Sequence, residues 1–101
     1  MIIVVVTFKI PNDLDASVLR EKFKETAPLH QNAEGLIRKN YIADMDTHHA
    51  GGVYCFDTME NAQKWFDNER FEWLTNRYSK PNLQFFDNPV IVDNNTGKIV
   101  A

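Results

Sequence analysis

Five side chains are the leading candidates to move a proton or hold an anion: His30, Arg38, Tyr41, Tyr54 and Tyr78. A guanidinium grips the oxygens of a phenolate, enolate or carboxylate through charge-assisted hydrogen bonds. Arg38 falls on the same strand face as Leu36 and Asn40 by alternation, where it either clamps such an anion or sits as a charge at a rim. Tyrosine hydroxyls orient a substrate of that kind. His30, just past Pro28 at the end of a helical stretch, is the base that would create the anion. Phe23, Tyr54, Trp65 and Phe66 either pack the core or wall a pocket for a flat aromatic substrate, with the indole N–H as a donor. The expected catalytic set is therefore His30, Arg38 and Tyr78. The expected substrate-binding set is Phe23, Tyr54, Trp65 and Phe66.

The stretch "THHAGGVYCF" at 47–56 gathers two of three histidines, half of the four glycines and the lone cysteine. Adjacent residues on an extended chain point to opposite sides, so His48 and His49 do not share a metal. No HxH, HxxxH or cysteine-rich set accompanies them, and no metal site is expected. Gly51-Gly52 lacks the following helix and Lys-Ser/Thr pair of a phosphate loop. It reads as a bulge or a close backbone approach. Cys55, between Tyr54 and Phe56, reads as an inert core thiol.

The bulk numbers narrow the function classes. One hundred and one residues, 44% hydrophobic and 25% charged, make one small globular domain. Net charge is −3 and the pI about 5.5, with no basic patch able to track phosphates, so no nucleic-acid partner is expected. Ile2-Ile3-Val4-Val5-Val6 is too short to span a membrane and lacks the flanks of a signal peptide. A single cysteine agrees with a reducing cytoplasm, the expected location.

These residues must be positioned by regular elements. Residues 2–9 are β-branched and apolar, as in a strand buried on both faces. Ile10-Pro11-Asn12-Asp13 breaks it. Asp13 or Asp15 caps a helix on which Leu14, Val18, Leu19 and Phe23 share a stripe, and Pro28 ends or kinks it. Residues 36–43 form a second strand, 44–49 a polar turn, and 51–56 a third strand. A helical region starts near Thr58 and breaks near Asn68. Residues 83–92 form a fourth strand with Pro89 at an edge or bulge, and 98–100 a short last one after a turn at 94–97. The order β-α-β-β-α-β predicts an α+β, ferredoxin-like fold: a four-stranded antiparallel sheet with helices on one face. Residues 1–94 form that domain and 95–101 a C-terminal extension, a short strand at the dimer interface. Strands one, three and four are apolar on both faces. Burying about 600–800 Å² of the open face per subunit predicts a homodimer packed sheet to sheet.

Several stretches resemble the YdhR-like monooxygenases of the dimeric α+β barrel superfamily: GLIRKNYI at 35–42, AGGVYCF at 50–56, Ala62 with Trp65, Arg77-Tyr78, and FFDNPVIVDN at 85–94. The resemblance covers roughly residues 2–94. It implies a homodimer with one small-molecule pocket per subunit, between helices and sheet, and monooxygenase chemistry. In the haem-degrading branch of the superfamily, a tryptophan in this helix is followed about ten residues later by a histidine, with an asparagine on the first strand. Here those places hold Thr75 and Thr7, which argues against haem; nothing in the sequence supports a flavin either, so no cofactor is expected. Cofactor-free oxygenation needs an easily deprotonated, phenol-like aromatic or polycyclic substrate, a base, donors for the anion and a dry box. The sequence therefore predicts a small-molecule monooxygenase of that kind. The alternatives are a non-catalytic ligand-binding or sensing dimer, and an isomerase or decarboxylase acting on a cyclic enol.

Overall fold

The computed structural model describes all of residues 1–101. Its main sheet is built from β1 (Ile2–Lys9), β2 (Leu36–Asp44), β3 (His49–Phe56) and β4 (Asn82–Asp87). The strands are antiparallel in the order β2-β3-β1-β4, so the first strand lies inside the sheet. Three helices, α1 (Ala16–Gln31), α2 (Met59–Trp65) and α3 (Asn68–Arg77), contribute Leu19, Ala62 and Leu74 to the same core as Ile2, Val4, Val6 and Phe8 of β1. This is the ferredoxin-like α+β plan. Val4 and Phe56 are wholly buried, and each such side chain contributes about 1.5–3 kcal/mol of transfer free energy. No helix is long and apolar enough to cross a membrane.

Capping explains the helix starts. The carboxylates of Asp15 and Asp67 accept from the backbone N–H groups of Val18 and Arg70 at 3.0 and 2.8 Å. Thr58 Oγ1 accepts from Asn61 N–H at 3.1 Å. Each satisfies a donor that the first turn leaves without a partner. Pro28 neither ends nor replaces the last turn of α1, which continues to Gln31. Proline removes only the bond from its own nitrogen to the Lys24 carbonyl. The remaining turn brings His30 onto the face that already carries Phe23 and Thr26.

Three features differ from expectation. His49 opens β3, opposite Lys9 and Asp44, so only His48 belongs to the turn. His48 adopts φ 56°, in the left-handed region, and its carbonyl accepts from Ile10 N–H at 2.9 Å. The expected strand over 83–92 is two strands. Asn88-Pro89-Val90 interrupts it, and β5 (Ile91–Asp93) pairs instead with β6 (Lys98–Val100) in a separate hairpin turned at Gly97. Proline has no N–H to give a ladder, which accounts for the break.

The third difference matters most for the site. β2 carries a bulge between Leu36 and Arg38. One extra residue reverses which side chains face inward beyond it. Leu36 lies opposite Phe56, but Lys39 lies opposite Tyr54 and Tyr41 opposite Gly52, all inward positions. Arg38 and Asn40 lie opposite Cys55 and Val53 on the outer face. The expectation that Arg38 shares a face with Leu36 is thus corrected by a single residue of slippage.

Candidate active site

The bulge sends a lysine into the space between helices and sheet. The Lys39 side chain crosses Gly52: a Cβ placed there would stand 2.9 Å from Lys39 Cε. Glycine at 52 is the groove through which the amine reaches the interior. Gly51 serves a different end, since a Cβ there would run into the backbone carbonyl of Val6 on the neighbouring strand. The paired glycines therefore let one side chain and one strand approach closely.

Lys39 Nζ stands 2.9 Å from His30 Nε2, 3.7 Å from the centre of the Tyr41 ring and 4.6 Å from that of Tyr54. It forms no ion pair; the salt bridges of the chain join Lys24, Lys64 and Arg77 to glutamates. Burial without a counter-ion disfavours the ammonium, and the charge of Arg70 adds to this. The Lys39 pKa is lowered from 10.5 to about 7.

Hydrogen bonding fixes the partner's tautomer. His30 Nδ1 is 3.0 Å from the Thr26 carbonyl oxygen, an acceptor only, so Nδ1 carries the proton. Nε2 then presents its lone pair to Lys39. Thr26 Oγ1 donates to the Phe23 carbonyl at 3.1 Å, which makes Tyr41 the donor in its 2.8 Å bond to Thr26 Oγ1. Burial first, and the Lys39 charge second, lower the His30 pKa to about 4, so the imidazole is neutral at pH 7. Burial also raises the phenols of Tyr41 and Tyr54, which stay protonated there.

His30, Lys39, Tyr41 and Tyr54 border a closed cavity of about 20 Å³, room for about one water. Tyr78 stacks on Phe8 at 4.4 Å across the same space, and Phe23 packs on Tyr41 at 4.5 Å. Arg70 enters from α3 with its guanidinium 3.8 Å above the Trp65 ring. No aspartate or glutamate borders the cavity. Two buried donors nearby, Arg70 Nε and Trp65 Nε1, have no hydrogen-bond partner. Leaving such donors unmatched costs about 1–3 kcal/mol each, which an acceptor atom in the site would recover. His30, Lys39 and Tyr41 also border an open depression of about 280 Å³ between α1 and β2. They form the wall between that depression and the closed cavity.

Of the residues singled out in the sequence, His30, Tyr78, Phe23 and Tyr54 border the cavity. Trp65 and Phe66 stand one layer behind it. Trp65 packs on His30 at 5.3 Å and Phe66 on Tyr54 at 4.9 Å. Arg38 is exposed on the outer face, its Nε 3.4 Å from Asn40 Oδ1. Lys39, Arg70 and the part played by Gly52 escape a reading by alternation. One signal for Lys39 exists: Leu36 and Tyr41 both carry large apolar surface, yet their odd spacing puts them on one face only if a residue bulges out.

No cluster of three or more His, Cys, Asp or Glu side chains is placed to hold a metal. Comparison with curated proteins finds no match. Among solved structures, the fold is similar to a putative antibiotic biosynthesis monooxygenase from Deinococcus radiodurans (TM-score 0.69, 12% identity, 92% of this chain and 97% of that one). It is similar also to a point mutant of MhuD crystallised with two manganese protoporphyrin IX molecules per active site (TM-score 0.71, 13% identity, 93% and 100%). A third likeness is the protein YJCS (TM-score 0.58, 13% identity, 85% and 98%). At these identities the likeness is one of fold. Residues 3–87, most of the chain and all of its main sheet but Ile2, match the family described as "Putative mono-oxygenase ydhR", and the chain belongs to that family.

Proposed function

We propose that the chain is a small-molecule monooxygenase that acts on a phenol-like aromatic substrate without a bound cofactor, using Lys39 as its base. The carrying observation is an aromatic-walled cavity bordered by Lys39 and Arg70, with no carboxylate and with an unmatched donor on Arg70. Such a site favours an oxygen-bearing anion.

Base and anion site are one residue in this reading. The neutral Lys39 amine takes the phenolic proton and becomes the ammonium that, with Arg70, holds the phenolate. His30 positions the amine through Nε2. Its own basicity, with a pKa of about 4, is too low for the role the sequence suggested. A substrate of the anthrone type then supplies every electron. Its anion passes one electron to O₂, the two radicals join as a hydroperoxide, and loss of water leaves the quinone. One oxygen atom ends in the product and one in water, with no external reductant. Such a ring is far larger than the cavity of about 20 Å³ and is placed in the open depression of about 280 Å³ that His30, Lys39 and Tyr41 also border.

The protoporphyrin of the MhuD structure does not fit these residues. His30 is the only imidazole bordering the cavity, and both its nitrogens are engaged, by the Thr26 carbonyl and by Lys39. No step is assigned to haem.

Homodimerisation completes the reading. Ile3, Val5, Val53 and Cys55 form a half-buried outer face. Phe86 and Ile37 beside them are 48% and 55% exposed. A groove of about 590 Å³ separates part of this face from the β5–β6 hairpin, room for elements of a second copy. The test of function is oxygen uptake with anthrone. The purified chain is expected to exceed buffer, and Lys39→Met to lose about 10²-fold or more, the scale of a general base. Uptake equal to buffer leaves the binding-dimer reading in place. Proton exchange into the substrate without oxygen uptake favours the isomerase or decarboxylase reading.

A further inference from the structure

We infer that Lys39 is a covalent capture site for small aromatic aldehydes and ketones, which it holds as a reversible imine. Three features of geometry carry this. Lys39, with His30 and Tyr41, separates the closed cavity from the open depression, so a carbonyl compound reaches the amine from solvent without unfolding α1. The amine is unpaired by any carboxylate, and its 2.9 Å partner is the lone pair of a neutral imidazole. An amine that donates an N–H to His30 keeps its own lone pair free for attack. The rings of Tyr41 and Tyr54, 3.7 and 4.6 Å from Nζ, offer faces for an aromatic aldehyde to pack against.

The charged and titratable groups facing Lys39 agree with an uncharged amine. His30 from α1 is neutral, Tyr41 of β2 and Tyr54 of β3 remain protonated, and Arg70 from α3 is a cation. None is an anion that would hold an ammonium in place. At pH 7 about half of Lys39 is neutral, whereas an ordinary lysine is neutral in only about one molecule in 2,500.

The step balances without a redox partner. The Nζ lone pair adds to the carbonyl carbon while the C=O π electrons move to oxygen. The two protons that nitrogen loses pass through solvent water to that oxygen, which departs as water. Aldehyde plus amine gives imine plus one water. This capture goes beyond oxygenation and does not require it, since no O₂ enters the step.

The experiment is reductive trapping under nitrogen. The intact chain is incubated at about pH 7 with 4-hydroxybenzaldehyde and sodium cyanoborohydride, digested, and mapped by mass spectrometry. The added hydride goes to the imine carbon and fixes the adduct as a secondary amine. The expected result is labelling of Lys39 at least about tenfold above each of the other six lysines, with a rate that levels off just above pH 7. Labelling spread over Lys9, Lys22, Lys24, Lys64, Lys80 and Lys98, with Lys39 spared or merely equal, overturns the inference. Oxygen is absent throughout, so labelling of Lys39 does not depend on any oxygenation.

Discussion

Lys39 Nζ and His30 Nε2 lie 2.9 Å apart inside an aromatic cavity, and neither is paired with a carboxylate. Two groups that are ordinarily basic are thus held as a neutral donor and a neutral acceptor. Burial and the Arg70 charge lower the pKa of the amine from 10.5, that of an ordinary lysine, to about 7. A placement of this kind weakens the fold and is most simply understood as chemistry retained at the expense of stability.

Lys39→Met should therefore stabilise the protein while abolishing turnover. Because the folded pKa lies below the unfolded one, the unfolded chain binds the extra proton between about pH 7 and 10.5. The penalty is full below pH 7 and fades as pH rises through that window. Urea denaturation should show Lys39→Met more stable than the parent by about 1–3 kcal/mol at pH 6, with the gap closing towards pH 10. His30, also lowered, should add a second loss of stability as pH falls from about 6.5 to 4. A Lys39→Met variant less stable than the parent at pH 6 contradicts a desolvated amine.

The two neighbouring glycines should separate function from folding. In Gly52→Ala the new methyl meets the flexible end of Lys39, so the amine is displaced while the backbone stands. Turnover and aldehyde trapping should fall about tenfold or more, and stability should change by about 1 kcal/mol or less. In Gly51→Ala the methyl meets the carbonyl of Val6 in the next strand, which cannot move alone. Loss of about 3 kcal/mol or failure to fold is expected there. Thermal melts of the two variants decide it.

Arg70→Gln should shift the site's pH profile as well as its affinity. The Arg70 charge is one of two causes of the depressed Lys39 pKa, so its removal lets that pKa rise. The acid limb of kcat/KM should move to higher pH by about half a unit to one unit. Weaker substrate binding without that shift would mean that Arg70 does not act on Lys39.

Sheet-to-sheet pairing has its own test. Val53→Glu places a carboxylate on the half-buried outer face without entering the cavity. Light scattering should give twice 11.7 kDa for the parent and 11.7 kDa for the variant. A parent mass of 11.7 kDa refutes the dimer.

The fold was legible because its signals are local and redundant. The apolar run of β1, the caps at Asp15 and Thr58, and the turn residues after Asp44 each predict one element, and they agree. Four of the seven marked side chains border the cavity for a similar reason, since Phe23, His30, Tyr54 and Tyr78 follow ordinary helix and strand periods. Arg38 and Lys39 exchange faces because a bulge of one residue leaves almost no compositional trace. Arg70 was hidden on a polar helix of which only Leu74 is fully buried. The stretch at 47–56 looked reactive for its histidines and cysteine, but its contribution to the site is Tyr54 and the missing side chain at Gly52.

The most direct test of the account is an NMR titration of the chain labelled with ¹³C at lysine Cε. Of seven lysine signals, one is predicted to titrate with a midpoint near pH 7 and to vanish in Lys39→Arg. A Lys39 signal that does not change between about pH 6 and 8 would show a charged amine at neutral pH, and would contradict both its role as base and its capture of carbonyl compounds.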